Sequence, residues 1–263
     1  PHTCGSSVAF KLAWAVAQEL SGAEKVRPDF RELLQQTLSL AALGTVADVV
    51  PLTHENRVIV RHGLAGLRKT AIVGLSALID SAGLADSKIG AYDVGFRLAP
   101  RINAAGRMGH ARLAVELMTR ADARRAREIA SYLESQNRAR QSMERKILKQ
   151  ALELIEQHRF ASDAHRAIVV AGEDWHAGVV GIVASRLVDR YHRPAVAIAL
   201  SNGSGQGSAR SIAPFDLASA LGECSEHLVE HGGHAMAAGL RMDSGKLGEF
   251  REAFVGVANN RLT

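Results

Sequence analysis

Residues 167–200, AIVVAGEDWHAGVVGIVASRLVDRYHRPAVAIAL, decide the fold of the second half of the chain. Apolar runs at 167–171 and 195–200 predict two strands, and the amphipathic pattern over 179–191 predicts a helix between them. A strand–helix–strand unit joins parallel strands through a right-handed crossover by default. Ligands of such units tend to lie at the carboxyl ends of the strands, beside helix N-termini. Trp175 and His176 fall at that position.

Downstream of this unit, residues 230–239 read EHGGHAMAAG. The pattern predicts a helix over 214–229, a turn at Gly232 and Gly233, and a strand over 237–242. Adjacent glycines permit positive φ and close approach to the main chain, and free N–H groups in a turn can hold a phosphate. His234 adds a hydrogen-bonding group beside them. A plain helix cap followed by a strand is the alternative.

The loop before this stretch, SNGSGQG at 201–207, is predicted to be a flexible turn leading into Ser208-Ala209-Arg210-Ser211. It lacks the Gly-Lys-Ser/Thr of a nucleotide-binding P-loop. A nucleotide site of that kind is therefore not expected here.

The first half of the chain has helical periodicity, predicting helices over 6–20, 56–68 and 71–82. Asp29 with Glu32 predicts a capping box that opens a further helix ending near Gly44. Asp48 is a lone carboxylate in the apolar segment 44–52. When buried, it would need a cation, a metal ion or several N–H donors, and a satisfied turn or capping aspartate is the alternative.

A basic stretch at 96–109, FRLAPRINAAGRMG, sets Arg97, Arg101 and Arg107 among small or apolar residues. The planar fork of arginine suits phosphate oxygens, and small neighbours leave a flat surface for a nucleic-acid backbone. A solvated basic loop explains the same pattern.

Composition narrows the class of partner. The net charge of +5 and the pI near 9.5 fit a polyanionic ligand. Aromatic residues make up only 5%, so extended stacking on bases is not expected to be the main contact. No apolar run reaches membrane-spanning length. Two widely separated cysteines suggest a reducing, cytoplasmic setting.

A long segment free of glycine and proline, 119–157, predicts one helix or two. Between residues 119 and 150 it carries nine Lys/Arg and four Asp/Glu, and a helix polar on most faces is typical of a bridge between domains. We therefore predict an α/β protein with a helical part at 1–118, a connecting helix at 119–160, and a smaller α/β domain with a mixed sheet at 161–263.

Five segments resemble, in order, the motifs of the RecJ single-stranded-DNA exonucleases of the Asp-His-His (DHH) phosphoesterase superfamily: GTVADVVPL at 44–52, FRLAPRINAAGRMG at 96–109, DWHAGVVGIVASRL at 174–187, GSARSI at 207–212 and HGGHAMAAG at 231–239. The resemblance covers nearly all of residues 1–255. It implies a 5′→3′ exonuclease, a hydrolase of DNA repair and recombination, that uses Mn²⁺ or Mg²⁺ to cleave single-stranded DNA.

Roles for individual residues follow from the resemblance. Asp48 matches the last aspartate ligand of the metal site and would be catalytic, and His234 would lie close to the scissile phosphate. The DHH-associated domain would be the predicted 161–263 domain. The residues implied to contact nucleic acid are Arg101, Asn103, Arg107, Trp175, His176, Ser208, Arg210, Ser211, Gly232, Gly233 and His234.

The sequence departs from this superfamily because it contains no Asp-x-Asp and no Asp-His-His, the motifs that supply most of the metal ligands. One aspartate cannot build a two-metal site. The resemblance therefore implies a C-terminal piece: the tail of the catalytic domain, the connecting helix and the DHH-associated domain. Such a piece is expected to bind single-stranded DNA weakly and to hydrolyse little of it.

Two other functions stay open at this point. A relative that cleaves short RNA or cyclic dinucleotides would share the Gly-Gly-His signature, and a non-catalytic nucleic-acid-binding module would share the basic stretches. A zinc site at His227, His231 and His234 is disfavoured, since Leu228 stands where the zinc-protease helix needs glutamate.

Overall fold

The computed structural model describes residues 3–262, so the predicted outer limits at 1 and 263 lie outside the described residues. The chain divides into two compact units, Pro1–Arg138 and Ala139–Thr263. The predicted fold class is confirmed: a helical first part, a long helix and a smaller α/β domain with a mixed sheet. The predicted domain limits at 118/119 and 160/161 stay a prediction.

In the described residues of the first unit, all regular secondary structure is helical. An irregular π-helical turn, Val94–Leu98, joins the fifth helix directly to the sixth. Its helices are α1 Gly5–Ser21, α2 Pro28–Ala47, α3 His54–Leu67, α4 Val73–Ser81, α5 Ala91–Asp93, α6 Ala99–Arg107, α7 Ala111–Thr119 and the start of α8 Ala123–His158.

The core of the first unit forms where short helices pack on the first third of α8. Ile129 and Leu133 of α8 are buried together with Leu75 and Leu78 of α4 and Leu98 of the π-helical turn. Full burial of such side chains contributes about 1.5–3 kcal/mol each. α8 is a single 36-residue helix, as the absence of glycine and proline allows. Nowhere within residues 3–262 is a helix both long and apolar enough to cross a membrane.

The start of α1 is tied to α2 through a buried thiol. Cys4 Sγ lies 3.1 Å from Ser6 Oγ and 3.4 Å from Thr45 Oγ1. Burial by itself raises the pKa of the Cys4 thiol, but hydrogen bonds with Ser6, Ser7 and Thr45 outweigh it and lower the pKa to about 7. Cys4 and Cys224 are both free thiols, and burial raises the pKa of Cys224 to about 11.

One local prediction for this unit is wrong, and one alternative is excluded. α2 begins at Pro28, and its N-cap Arg27 makes no side-chain capping bond; Asp29 is therefore inside the first turn, where it pairs with Arg27 at 3.1 Å. The basic stretch 96–109 is mostly helical, not a loop. Pro100 fits in the first turn of α6 because backbone N–H groups in that turn have no acceptor within the helix, so the missing N–H of proline costs no hydrogen bond.

The second unit places a five-stranded sheet between helices. Its strands are β1 Ile168–Glu173, β2 Ala195–Ser201, β3 Ser204–Arg210, β4 Glu230–His234 and β5 Ala237–Asp243, in the order β1-β2-β3-β5-β4. β1 and β2 are parallel, as predicted for a crossover through α9 Ala177–Tyr191, and the other pairs are antiparallel. α10 Leu217–Glu223 and α11 Leu247–Arg261 complete the unit.

The two faces of the sheet have separate cores. One face of β1 and β2 packs with α8 and α9, through residues such as Ile147, Val183 and Ala197. The other face packs with α10 and α11, where Phe250 and Phe254 meet Leu240 of β5. On the first face, alternate residues of β3, β5 and β4 are exposed or half-buried, which leaves a surface open beside α9.

The glycine pair is not in a turn, so that prediction is wrong. Gly232 and Gly233 lie in the edge strand β4, and the chain reverses after His234. The predicted helix over 214–229 is only α10 and a 3₁₀ turn, Ser225–His227. The predicted flexible turn at 201–207 is instead a tight turn at Asn202 and Gly203, both with positive φ.

Replacing Gly233 tests the need for glycine in β4. Its φ is +148°, and an added Cβ would lie 2.4 Å from the Ala237 carbonyl oxygen. We expect Gly233→Ala to lower the free energy of unfolding of the second unit by about 1–3 kcal/mol.

Gly232→Ala is the matched control, because a Cβ there meets nothing within 4 Å. The chain has two tryptophans, so a Trp14→Phe background leaves Trp175 to report denaturant unfolding of the second unit. Equal losses in the two alanine variants would contradict this role of Gly233.

Candidate nucleic-acid interface

The open surface on β3, β5 and β4, which we call the sheet face, gathers four of the predicted site residues. The strand register aligns Arg210 with Ala237 and His234 in one row, and Ser208 with Gly239 and Gly232 in the next. Directly opposed residues point to the same side of a sheet. Arginine, histidine and serine side chains therefore surround positions that carry only hydrogen or methyl groups.

A third row borders the sheet face with charges of both signs. Gln206 aligns with Arg241 and Glu230, and the Arg241–Glu230 ion pair spans 3.8 Å between exposed side chains. A depression of about 330 Å³ lies over this row and its neighbour, with Ser208 and Gly232 in its lining. Because exposed pairs contribute little to stability, Arg241 can exchange its carboxylate partner for another anion.

α9 holds one side of the sheet face in place through a glycine. A Cβ on Gly181 would lie 3.1 Å from Arg210 Nη2 and 3.2 Å from Ser208 Oγ. A Cβ at 181 would require both side chains to shift by a few tenths of an ångström. Arg210 also donates to the carbonyl oxygen of Ala209 at 2.8 Å, which directs its guanidinium along the strand.

Both predicted site histidines are oriented by a backbone N–H. His234 Nδ1 accepts from Met236 N at 3.3 Å, and His176 Nδ1, at the N-cap of α9, accepts from Gly178 N at 3.1 Å. An Nδ1 that accepts carries no proton, so a neutral ring bears its hydrogen on Nε2. Each imidazole therefore presents an Nε2–H donor, the group that an anionic oxygen requires.

Trp175 and Ser211 are buried, and their predicted contact with nucleic acid stays a prediction. Trp175 is 7% exposed and donates Nε1–H to Gln150 Oε1 at 2.9 Å. Ser211 Oγ donates to the Phe215 carbonyl oxygen at 2.6 Å. Their polar atoms are thus used inside the fold, and the two residues position the loops next to them.

A second depression lies at the carboxyl ends of β1 and β2, where the sequence places a ligand. It measures about 360 Å³, and Lys146, Asp174 and His176 are among the residues in its lining. Asp174 has φ of +61°, which turns the chain sharply out of β1 towards α9. This cavity adjoins the N-terminus of α9, whose dipole favours negative charge.

In the first unit, Arg101 is engaged in an ion pair, and its predicted contact with nucleic acid stays a prediction. Arg101 Nε lies 2.7 Å from Glu134 Oε2, and only 13% of the arginine side chain and 18% of the glutamate side chain are exposed. Asn103 and Arg107 are exposed on α6, four residues apart, and so share a face of the helix. Arg97 pairs with Asp93 at 3.3 Å.

Asp48 is exposed at the C-cap of α2, in agreement with the alternative of a capping aspartate, and its predicted role as a metal ligand stays a prediction. Within residues 3–262, no three His, Cys, Asp or Glu side chains converge on a point that could hold a metal ion. A two-metal site needs several carboxylate and imidazole ligands. The described residues therefore do not fit such a site, although Asp48 could supply one of its ligands.

Two features of these surfaces were not predicted from the sequence. The close packing of α9 at Gly181 is the first. Its sequence signal is the spacing of Gly178 and Gly181, three residues apart on one face of the predicted helix. Tyr92 and Phe96 are an exposed aromatic pair with ring centroids 4.7 Å apart. The i, i+4 spacing of two aromatics next to a basic stretch is visible in the sequence.

The match to known proteins agrees with the arrangement of the second unit. Residues 164–260 match the DHHA1 domain family. Over 261 residues the chain is 42% identical to the single-stranded-DNA-specific exonuclease RecJ of Bacillus subtilis, in an alignment that covers 98% of this chain and 31% of that protein. The resemblance predicted from the five motifs is confirmed.

Solved structures give the same result. The crystal structure of RecJ in complex with Mg²⁺ from Thermus thermophilus superposes with a TM-score of 0.83 at 36% identity, over 96% of this chain and 38% of that one. A crystal structure of exonuclease RecJ bound to manganese has a TM-score of 0.81 at 35% identity, over 98% of this chain and 61% of that one. The chain is thus similar to part of the RecJ exonucleases, and it spans 31–46% of the length of the curated relatives it matches.

Breaking the Arg101–Glu134 pair tests its structural role. We expect Glu134→Gln to lower the stability of the first unit by about 2–4 kcal/mol, because it leaves a largely buried guanidinium without its counter-charge. Amide hydrogen exchange in α6 and the start of α8 measures the effect.

Arg138→Ala is the control, since Arg138 pairs with the same Glu134 at 2.7 Å but is 76% exposed. Its cost should stay below about 1 kcal/mol. An Arg138→Ala loss as large as that of Glu134→Gln would show that Arg101 is not the stabilising partner.

Proposed function

We propose that this chain is the substrate-holding part of a metal-dependent 5′→3′ exonuclease that degrades single-stranded DNA during repair and recombination in the cytoplasm. The homology with RecJ proteins supports this proposal. So does the chemistry of the sheet face, where Arg210, His234 and Ser208 supply hydrogen-bond donors. Two of the related structures are described as complexes with Mg²⁺ and with manganese, the metals proposed for the whole enzyme.

The observation that carries the proposal is the row Arg210–Ala237–His234 beside Ser208–Gly239–Gly232 on the sheet face. A phosphate can reach the backbone there because no side chain larger than a methyl group stands between the polar residues. The arginine fork offers two parallel donors to phosphate oxygens. The His234 Nε2–H and the Ser208 hydroxyl supply further donors from either side.

Such a surface favours phosphodiester chemistry by holding negative charge. Donors that are already oriented stabilise charge as it develops on the phosphoryl oxygens, without reorganisation during the reaction. α9 packs closely on Arg210 and Ser208 at Gly181, and the Met236 N–H orients His234. The described residues do not assemble a metal site, so we assign them binding and orientation of the strand only.

Asn103 and Arg107 of α6 are proposed as further contacts. Both are exposed, and an asparagine amide can donate to phosphate or sugar oxygens while arginine contributes charge. Trp175, Ser211 and Arg101 are proposed to position their neighbours.

Arginine replacement on the sheet face tests the proposal. We expect Arg210→Ala to weaken binding of a fluorescent oligo-dT by about 10- to 100-fold, because a charge-assisted contact is worth about 1.5–3 kcal/mol. The slope of log affinity against log salt should also fall by about one. Fluorescence anisotropy in EDTA measures both, and EDTA excludes cleavage.

Arg124→Ala is the matched control, because Arg124 is 87% exposed on α8 and pairs with the exposed Glu128. Equal effects of the two substitutions would sink the placement of the site. With Mn²⁺ in place of EDTA, we expect the oligonucleotide to stay intact. Robust turnover that Asp48→Ala abolishes would contradict the assignment of binding without hydrolysis.

A further inference from the structure

An exposed aromatic pair marks a surface of the first unit that the proposed phosphate contacts leave unexplained. Tyr92 is 70% exposed and Phe96 69%, yet their rings lie 4.7 Å apart and are tilted by 31°. An aromatic side chain exposed to water does not gain the free energy that burial of its apolar surface would provide. Paired exposed aromatics therefore indicate a ligand that offers flat apolar faces of its own.

The pair belongs to a continuous line of residues, which we call the aromatic–arginine stripe. Tyr92, Phe96, Pro100, Asn103 and Arg107 are separated by four, four, three and four positions, so they follow one face of the helical run. The opposite face is buried in the core of the unit. At 1.5 Å per residue the stripe is about 22 Å long.

The stripe changes character along its length. Its first part is aromatic, and its last part carries the amide of Asn103 and the guanidinium of Arg107, both exposed. The π-helical turn that bears Phe96 packs against the end of α2, where a Cβ on Gly95 would lie 4.0 Å from Val46. The aromatic end therefore lies beside the part of α2 that ends at Asp48.

An aliphatic line on α1 provides a contrast. Val8, Leu12, Val16 and Leu20 are spaced four apart and are 49–65% exposed, but none has a π face. The aromatic–arginine stripe instead combines flat rings with a cation and an amide on one face. That combination matches a polyanion with exposed bases, and it does not match an aliphatic protein helix.

We propose that Tyr92 and Phe96 stack on unpaired bases of a nucleic-acid strand whose phosphates contact Asn103 and Arg107. The inference rests on the proposed function and deepens it, because it names the feature that selects single strands. Bases in a duplex are already stacked on each other and paired, so their faces are not available to a protein ring. A strand without base pairs offers a π face at every nucleotide.

The test compares two ligands of equal length and charge: oligo-dT and an abasic oligonucleotide with the same backbone. Tyr92→Ala and Phe96→Ala should each weaken binding of oligo-dT about tenfold, in the range of base–aromatic stacking. Neither should change the affinity for the abasic ligand. Arg107→Ala should weaken both ligands, because its contact is with phosphate.

Two further variants control for folding and for apolar area. Phe96→Trp keeps a stacking ring and should bind oligo-dT within about twofold of the wild type. Leu12→Ala removes a side chain of similar exposure, 65%, from the aliphatic line and should change neither affinity. The stacking proposal would be overturned if the aromatic variants lost the same affinity for both ligands, or lost affinity for neither.

The outcomes separate this inference from the proposed function. If Arg210→Ala weakens the binding of oligo-dT and Phe96→Ala does not, the proposed function stands and the stacking proposal is rejected. If Arg210→Ala leaves the binding of oligo-dT unchanged and Phe96→Ala abolishes it, the sheet face is rejected as a binding site and the aromatic–arginine stripe is retained. An unmodified chain that fails to bind oligo-dT at low salt would contradict both.

Discussion

The contact between α9 and β3 is the constraint on which the sheet face depends. Glycine at 181 lets α9 lie close to Arg210 and Ser208, since a Cβ there would stand 3.1–3.2 Å from their polar atoms and require them to shift by a few tenths of an ångström. The same helix begins at His176, whose ring accepts from the Gly178 N–H. One helix therefore orients an imidazole at its start and packs against a serine and an arginine one turn later. The small residues of β4 and β5 then leave room for a ligand above the strands.

Arginines with similar sequence surroundings have different roles because their partners differ. Arg101 and Arg107 stand in one basic motif, yet Arg101 pairs with the largely buried Glu134, while Arg107 is exposed on α6. Their six-residue separation places them on different faces of a helix. The sequence does not show that Glu134 is a partner, because the pair is separated by 33 positions and joins two helices. A motif match thus identifies a region, and the packing decides which of its cations can meet a ligand.

The parts of the fold that the sequence predicts well are those with an unambiguous period. Two short apolar runs around an amphipathic segment defined β1, α9 and β2, and α8 followed from a long segment without glycine or proline. β4 was missed because Glu-His-Gly-Gly-His has low strand propensity; it forms a strand through pairing with β5 and not through its own preference. The turn at Asn202 and Gly203 could have been predicted, since Asn-Gly between two strands is a strong hairpin signal. The exposure of Asp48 and the burial of Ser211 depend on tertiary packing that no local pattern records.

The most direct measurement of the central claim is hydrogen–deuterium exchange of the 263-residue chain with and without saturating oligo-dT in EDTA. The account predicts slower amide exchange in β3, β4 and β5 and along α5 to α6, with no change in α10 and α11, which lie on the opposite face of the sheet. Protection confined to α10 and α11, or none at all in a chain that demonstrably binds the strand, would contradict it.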